Sequence, residues 1–199
     1  VLFRSDSMTK KCHLVDDPLF LSSLDRTKTT SREAMHIVAP ALKAAGVDID
    51  TLSLSTSSMY RARKTVRRSL AQTQKELFVP TMPLIAHFDS KLLPDNDGRT
   101  DELVDRMPIV VSGLNTEKLL VIPKLPVSTG ELMGNAVVQT LQDWKGVPDW
   151  LAGLCFDTTS ANTGINTGAI TIIQRAFDKS LLLLACCHHI LEIISAAVF

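Results

Sequence analysis

The chain has 199 residues, with 21 basic and 21 acidic side chains. That length allows one α/β domain plus a small appendage, and a balanced charge singles out no partner. Four cysteines, two of them adjacent (Cys186, Cys187) beside two histidines, exclude a disulfide framework and fit a reduced, intracellular protein. No apolar signal segment follows the N-terminus. The most membrane-like stretch, Leu181–Phe199, is interrupted by His188, His189 and Glu192, and a span needs roughly 20 mostly apolar residues.

Val1–Ser5 (VLFRS) reads as a translated sequencing adapter and is set aside; residues 1–30 as a whole are expected to be irregular. From Ser31 apolar residues recur at helical spacing (Ala34, Ile37, Val38, Ala41, Leu42, Ala45). Gly46 is the expected C-cap and Pro40 an interruption. A connection follows. Then one of Ser55, Thr56, Ser57 and Ser58 caps a longer helix to about Leu77, striped by Met59, Ala62, Val66, Leu70 and Leu77. Arg61, Arg63, Lys64, Arg67 and Arg68 crowd its first half. Residues 31–77 therefore read as a small basic, helix-turn-helix-like module whose long helix meets DNA phosphates. The alternative is the solvated basic face of a packed helix.

Phe78–Pro83 (FVPTMP) is the expected linker, and residues 83–199 the second domain. Leu84–Phe88, Pro108–Val111 and Lys118–Ile122 are short apolar segments. Asp95-Asn96-Asp97 with Gly98 supplies a first turn, and Gly113-Leu114-Asn115 a second. Together they predict an antiparallel meander. Ser128 or Thr129 caps a helix carrying Leu132, Ala136, Val137, Thr140, Leu141 and Trp144, ended near Gly146 and Pro148. Leu151–Phe156 then reads as a buried strand closed by Asp157. A polar loop and a helix with Ile165, Ala169, Ile172, Ile173, Ala176 and Phe177 come next. Catalytic acids collect at such strand ends in open α/β sheets; equally, Asp157 or Ser160 could simply cap the helix. Leu181–Ala185 is a further strand, and Ile190 onward is helical.

The order β-β-β-α-β-α-β-α, with Asp89 closing the first strand and Asp157 the fourth, is the layout of a ribonuclease H-like α/β fold. There the first and fourth strands are neighbours, so the two acids would converge on one site. Paired carboxylates suit Mg²⁺ (or Mn²⁺), a hard ion that also binds substrate phosphate. Two such ions stabilise the attacking and leaving oxygens of phosphodiester cleavage. Cys186-Cys187-His188-His189 has the composition of a zinc site, yet four adjacent residues cannot surround one tetrahedral ion. The plainer reading is a buried Cys and a hydrogen-bonded His holding a strand–helix corner. The loop Asn162–Gly168 lacks both a P-loop ending and a G-x-G-x-x-G fingerprint, which leaves phosphate-ligand binding as the last-ranked reading.

Thr129-Gly130 opening a helix, then Trp144, CFDTTSANTG and the Cys186-x-x-His189 spacing resemble the catalytic core of hAT-superfamily DNA transposases. FDSKLLPD, from Phe88 to Asp95, resembles the first-acid motif of related transposon-derived proteins. The resemblance covers about residues 83–199. It implies Asp89 and Asp157 as catalytic, metal-holding acids, with Cys186 and His189 as a structural motif near them. It further implies DNA as partner, Mg²⁺ as cofactor, a nuclear location, and strand cleavage and transfer by a full-length parent that could be a homo-oligomer. Two departures stand out. The family's third acid has no counterpart, since Glu192 follows the Cys-x-x-His motif too soon. The family's N-terminal zinc finger is replaced by the basic helical module. Phe199 falls inside an apolar pattern, so the chain is expected to be a C-terminally truncated fragment. The reading from a different class is a domesticated, non-catalytic DNA-binding or interaction protein that keeps the fold.

Overall fold

The computed structural model describes residues 17–49, 54–94 and 103–198, and the chain divides into two units, residues 1–74 and 75–199. The adapter-like residues 1–5 and the turn at residues 95–98 lie outside the described residues.

Among the described residues, the first unit contains three α-helices: α1 (Pro18–Arg26), α2 (Ser31–Ala44) and, through Gln74, most of α3 (Thr56–Leu77). Helix α1 falls in the stretch expected to be irregular. It forms because the Asp17 side chain accepts the Phe20 N–H at 2.7 Å and Pro18 opens the helix. Leu21 then pays the ordering cost by burial against Ala34 and Met59. In α2 the Thr30 and Glu33 side chains form a reciprocal capping box. The helix runs through Pro40 and ends where Gly46, at φ 76°, takes the left-handed position. There the Gly46 N–H donates to Lys43 and the Val47 N–H to Leu42, a Schellman ending. Ser55 and Ser58 cap α3 reciprocally, each backbone N–H donating to the other's hydroxyl.

One ionic cluster ties this unit together. Arg63 is buried on α3, one turn after Met59, and its guanidinium donates to Asp25 on α1. It also donates to the Thr29 carbonyl at 2.8 Å. Arg67 grips both oxygens of the same Asp25 at 2.6 and 2.7 Å. These hydrogen bonds, Arg67's first and then Arg63's, outweigh partial desolvation and hold the Asp25 carboxyl at about 2 instead of 3.8.

The second unit is built on a five-stranded mixed sheet, β5-β4-β1-β7-β8. Its strands are β1 (Leu84–Phe88), β4 (Ile109–Gly113), β5 (Thr116–Val121), β7 (Leu151–Phe156) and β8 (Leu182–Ala185). The first three pair antiparallel with β1 inside, which bears out the expected meander; β7 and β8 continue parallel. A separate three-stranded sheet, β2 (Lys91–Pro94), β3 (Leu103–Arg106) and β6 (Lys124–Leu125), was not legible in the sequence.

Alternation places Leu84, Ala86 and Phe88 on one face with Ile109, Val111, Leu154 and Phe156. That face packs on α4 (Gly130–Asp143) and α7 (Ala169–Phe177), and the one-turn α5 (Val147–Trp150) leads from α4 into β7. Phe78 closes one end edge-on to Trp144, with ring centroids 5.7 Å apart. Gly130 is required where α4 starts: a Cβ there would lie 2.3 Å from the Ala161 carbonyl oxygen. Helix α4 thereby sits directly on the loop after β7. That loop holds the short α6 (Ser160–Thr163), and Ile165, expected on the helical stripe, is instead exposed in it. Helix α8 (Cys187–Val198) follows β8 and buries none of its residues. Among the described residues, no helix is long and apolar enough to cross a membrane.

Asp25 gives the first prediction. Its folded pKa lies below its unfolded value, so the stabilisation is complete above about pH 4 and is lost as pH falls through about 2. Asp25→Asn should weaken the helical unit by roughly 1–2 kcal/mol at neutral pH, after allowance for solvent screening. The difference should vanish in strong acid. Urea unfolding across pH, with hydrogen exchange assigning the transition to α1–α3, measures it. Equal stability at pH 7 would show that the cluster makes no net contribution.

Candidate functional site

Strand β1 ends at Phe88 and β7 at Phe156, so the residues that follow, Asp89 and Asp157, leave the core at the same edge of the sheet. The two strands are parallel neighbours, with His87 beside Cys155 in register. Both acids line one open cavity of about 380 Å³ with His87, Lys91, Cys155, Cys186, His189 and Glu192. The Asp89 carboxyl is pushed above its usual range, first by partial burial and next by the charge of Asp157. Lys91 and His189 pull it back down.

Asp157 is held by its own loop. Its Oδ1 accepts the Thr159 hydroxyl at 2.8 Å, the Thr159 N–H at 3.4 Å and the Asn162 amide. Asn162 is buried and also donates to the Asp157 carbonyl at 3.3 Å. All three side-chain contacts converge on Oδ1, and none of them engages Oδ2. Neither Asp157 nor Ser160 caps a helix: Thr159 occupies the N-cap of α6 without a side-chain cap bond. Asn162 is a residue the sequence reading used only as part of a polar loop. Its Oδ1 is buried without a hydrogen-bond partner among the described residues.

His87 donates to or accepts from the Ser112 hydroxyl through Nε2 at 2.6 Å, and burial lowers its pKa, favouring the neutral ring. Cys186 and His189 are half-buried, not buried as expected, because β8 is an edge strand and α8 stands clear of the core. The corner is held by backbone: the Cys186 N–H donates to the Phe156 carbonyl at 2.8 Å. Glu192, set aside on sequence spacing, sits on the same cavity wall as the two aspartates. Among the described residues, no three His, Cys, Asp or Glu side chains are arranged to hold a metal ion.

The five basic residues of α3 are not equivalent. Arg63 and Arg67 are one turn apart and are engaged by Asp25. Arg61, Lys64 and Arg68 are exposed at positions i, i+3 and i+7, so they share a different face. In the loop after α6 the Gly168 N–H is taken by the Gly164 carbonyl at 2.9 Å, so that amide is not offered to a phosphate. Compared with known families and curated proteins, the chain matches no family model and no curated protein.

The raised Asp89 pKa has a measurable sign. An acid whose folded pKa exceeds its unfolded value favours folding below the unfolded pKa, and that advantage fades as pH rises through the folded one. Asp89→Asn should therefore raise the melting temperature at neutral pH in chelator and leave it unchanged near pH 3. A lower melting temperature for the variant at pH 7 would mean that the charged carboxylate is net stabilising there.

Proposed function

We propose that the second unit is a ribonuclease H-like core whose Asp89 and Asp157 bind Mg²⁺ or Mn²⁺ for phosphodiester chemistry on DNA. The observation that carries this reading is the pair of acids on neighbouring parallel strand ends, lining one cavity. Counted along the chain, the main-sheet strands lie in the order third, second, first, fourth, fifth. That arrangement agrees with the fold. The motif order shared with hAT-superfamily transposases points to DNA cleavage and strand transfer as the parent activity, and hence to a nuclear location.

The donor set fits a hard divalent ion: carboxylate oxygens, one of them presented by a saturated partner oxygen, and a like-charge repulsion that a cation relieves. When bound, the ion supplies Lewis-acid stabilisation of charge on phosphate oxygens. The chain's residues do the rest. Asn162 and Thr159 hold Oδ1 of the Asp157 carboxylate, which leaves Oδ2 for the ion. Asp89 gives up the proton that its neighbour's charge favours. Glu192 is the third carboxylate on the wall. The first unit would meet phosphates through Arg61, Lys64 and Arg68, while Arg63 and Arg67 stay with Asp25. The second reading, a non-catalytic DNA-binding relative, draws on the absence, among the described residues, of a three-ligand cluster.

Thermal unfolding with and without Mn²⁺ tests the acid pair. Wild type should gain stability by mass action. Asp89→Asn and Asp157→Asn should each abolish the gain, and Asn162→Ala should reduce it. A full Mn²⁺ response in both aspartate variants would falsify the shared site. A nicking assay beside it separates the two readings: metal-dependent cleavage lost in both variants favours the enzyme, and none in wild type favours the binding protein.

A salt titration of duplex DNA affinity tests the basic face. Arg61→Ala, Lys64→Ala and Arg68→Ala together should weaken binding and flatten the salt slope by about one unit per lost phosphate contact. An affinity that barely changes with salt in the wild-type chain would mean the face is only solvated.

A further inference from the structure

The sheet edge that carries the acids also carries thiols. Cys155 is the penultimate residue of β7, two positions before Asp157. Cys186 follows the last residue of β8, the parallel neighbour of β7. In register Cys155 lies beside Leu184 and Phe156 beside Ala185, so Cys186 sits two positions further along, diagonal to Cys155, where the chain turns from β8 into α8. The Cys186 N–H bond to the Phe156 carbonyl, 2.8 Å, fixes that turn against the end of β7. Both side chains are half-buried and both line the cavity. Cys187 is exposed, and its sulfur is 3.8 Å from His188 Nδ1.

We propose that Cys155 and Cys186 are an oxidative modification site: a thiol pair that organic disulfides of the glutathione class convert to an intramolecular disulfide. A disulfide needs Cα atoms about 4.4–6.8 Å apart, and diagonal neighbours on adjacent strands lie slightly beyond that. Closure therefore draws the end of β8 toward β7, and bonds formed under such strain are readily reversed. The chemistry balances. One thiolate, its proton released to solvent, attacks a sulfur of the reagent, breaks the S–S bond and expels one glutathione thiolate. The second protein thiolate, likewise deprotonated, attacks the resulting mixed disulfide at the protein sulfur and expels the other. The protein loses two hydrogens and two electrons, and one disulfide is reduced to two thiols.

The consequence falls on Asp157. The new bond straddles Phe156 and pulls on the segment from which the Thr159–Asn162 clamp hangs. Oxidation thus regulates the acid site, a consequence that rests on the cation reading given above; the linkage itself does not.

The test uses the full chain treated with glutathione disulfide, then alkylated, digested and mapped by mass. The expected result is a Cys155–Cys186 linked peptide lighter by two hydrogens. Both cysteines should lose alkylation together, the linkage should persist in Cys187→Ser, and dithiothreitol should reverse it. Hydrogen exchange across residues 157–164 should change on oxidation in wild type and not in Cys186→Ser. Independent alkylation of Cys155 and Cys186 after oxidation, a Cys186–Cys187 linkage instead, or unchanged exchange in a linked chain would each overturn the proposal. Mn²⁺ response is read separately on the reduced chain: its absence there removes the cation reading, while the mass and exchange results still decide the linkage.

Discussion

Parallel pairing between β1 and β7 is the constraint on which the second unit depends. The two strands are far apart in the chain, and only their register brings their C-terminal ends level. A register shift between Leu84 and Ile85 sets Ile85 opposite Gly153. A Cβ at Gly153 would meet the Ile85 side chain at 2.9 Å and the Leu182 carbonyl oxygen at 2.8 Å. The small residue lets β1, β7 and β8 close up, and closeness there is what sets two carboxylates at one cavity rim. Burial of Leu84, Ala86, Leu154 and Phe156 on α4 and α7 supplies the favourable free energy. The repulsion between the acids opposes it.

Two aspartates show how differently the fold treats one residue type. Asp25 meets two guanidiniums and is pulled down to about 2; Asp89 meets another carboxylate and is pushed up. The first is matched in charge and hydrogen bonds, so it serves cohesion between α1 and α3. The second is left mismatched, and mismatched charge in a solvent-open cavity is the usual physical mark of a ligand site. The same sorting divides the basic residues of α3. Arg63 lies on the side of Met59 and closes an internal cluster. Arg61, Lys64 and Arg68 face away from it.

Much of the second unit was legible because its signals are periodic. β1, β4, β5 and β7 read from short apolar runs bounded by turn residues, and α4 from its Thr129 cap and its stripe. Asp89 and Asp157 followed from where those runs stop. Helix α1 escaped although its signals were present: Asp17 and Pro18 mark an N-terminus and Phe20, Leu21 and Leu24 share one face, but nine residues offer too short a stripe to stand out among polar neighbours. Strands β2 (KLLP), β3 (LVDR) and β6 (KL) are two to four residues long and carry neither a continuous apolar run nor a clear alternation. Arg63 was grouped with its basic neighbours because a count of charge ignores that i+4 from Met59 points inward. Asn162 was hidden for a different reason: nothing local distinguishes a buried Asn that grips a carboxylate from one in any polar turn.

The three carboxylates on the cavity wall are not equally fixed. Asp89 follows an interior strand, and Asp157 is clamped by Asn162 and Thr159 after another. Glu192 rides on α8, which has no buried residue, after an edge strand whose four side chains are all exposed. The metal-assisted chemistry proposed for this site would require side chains held within about 0.5 Å of the productive arrangement. The sheet can impose that on the two aspartates. It cannot impose it on Glu192, whose helix makes few of the contacts that would set its angle. The acid pair is therefore the part of the site that the fold itself determines. Where the third carboxylate comes to rest depends on what α8 packs against, and its exposed Ile190, Leu191, Ile193 and Ile194 are the surface through which such packing would act.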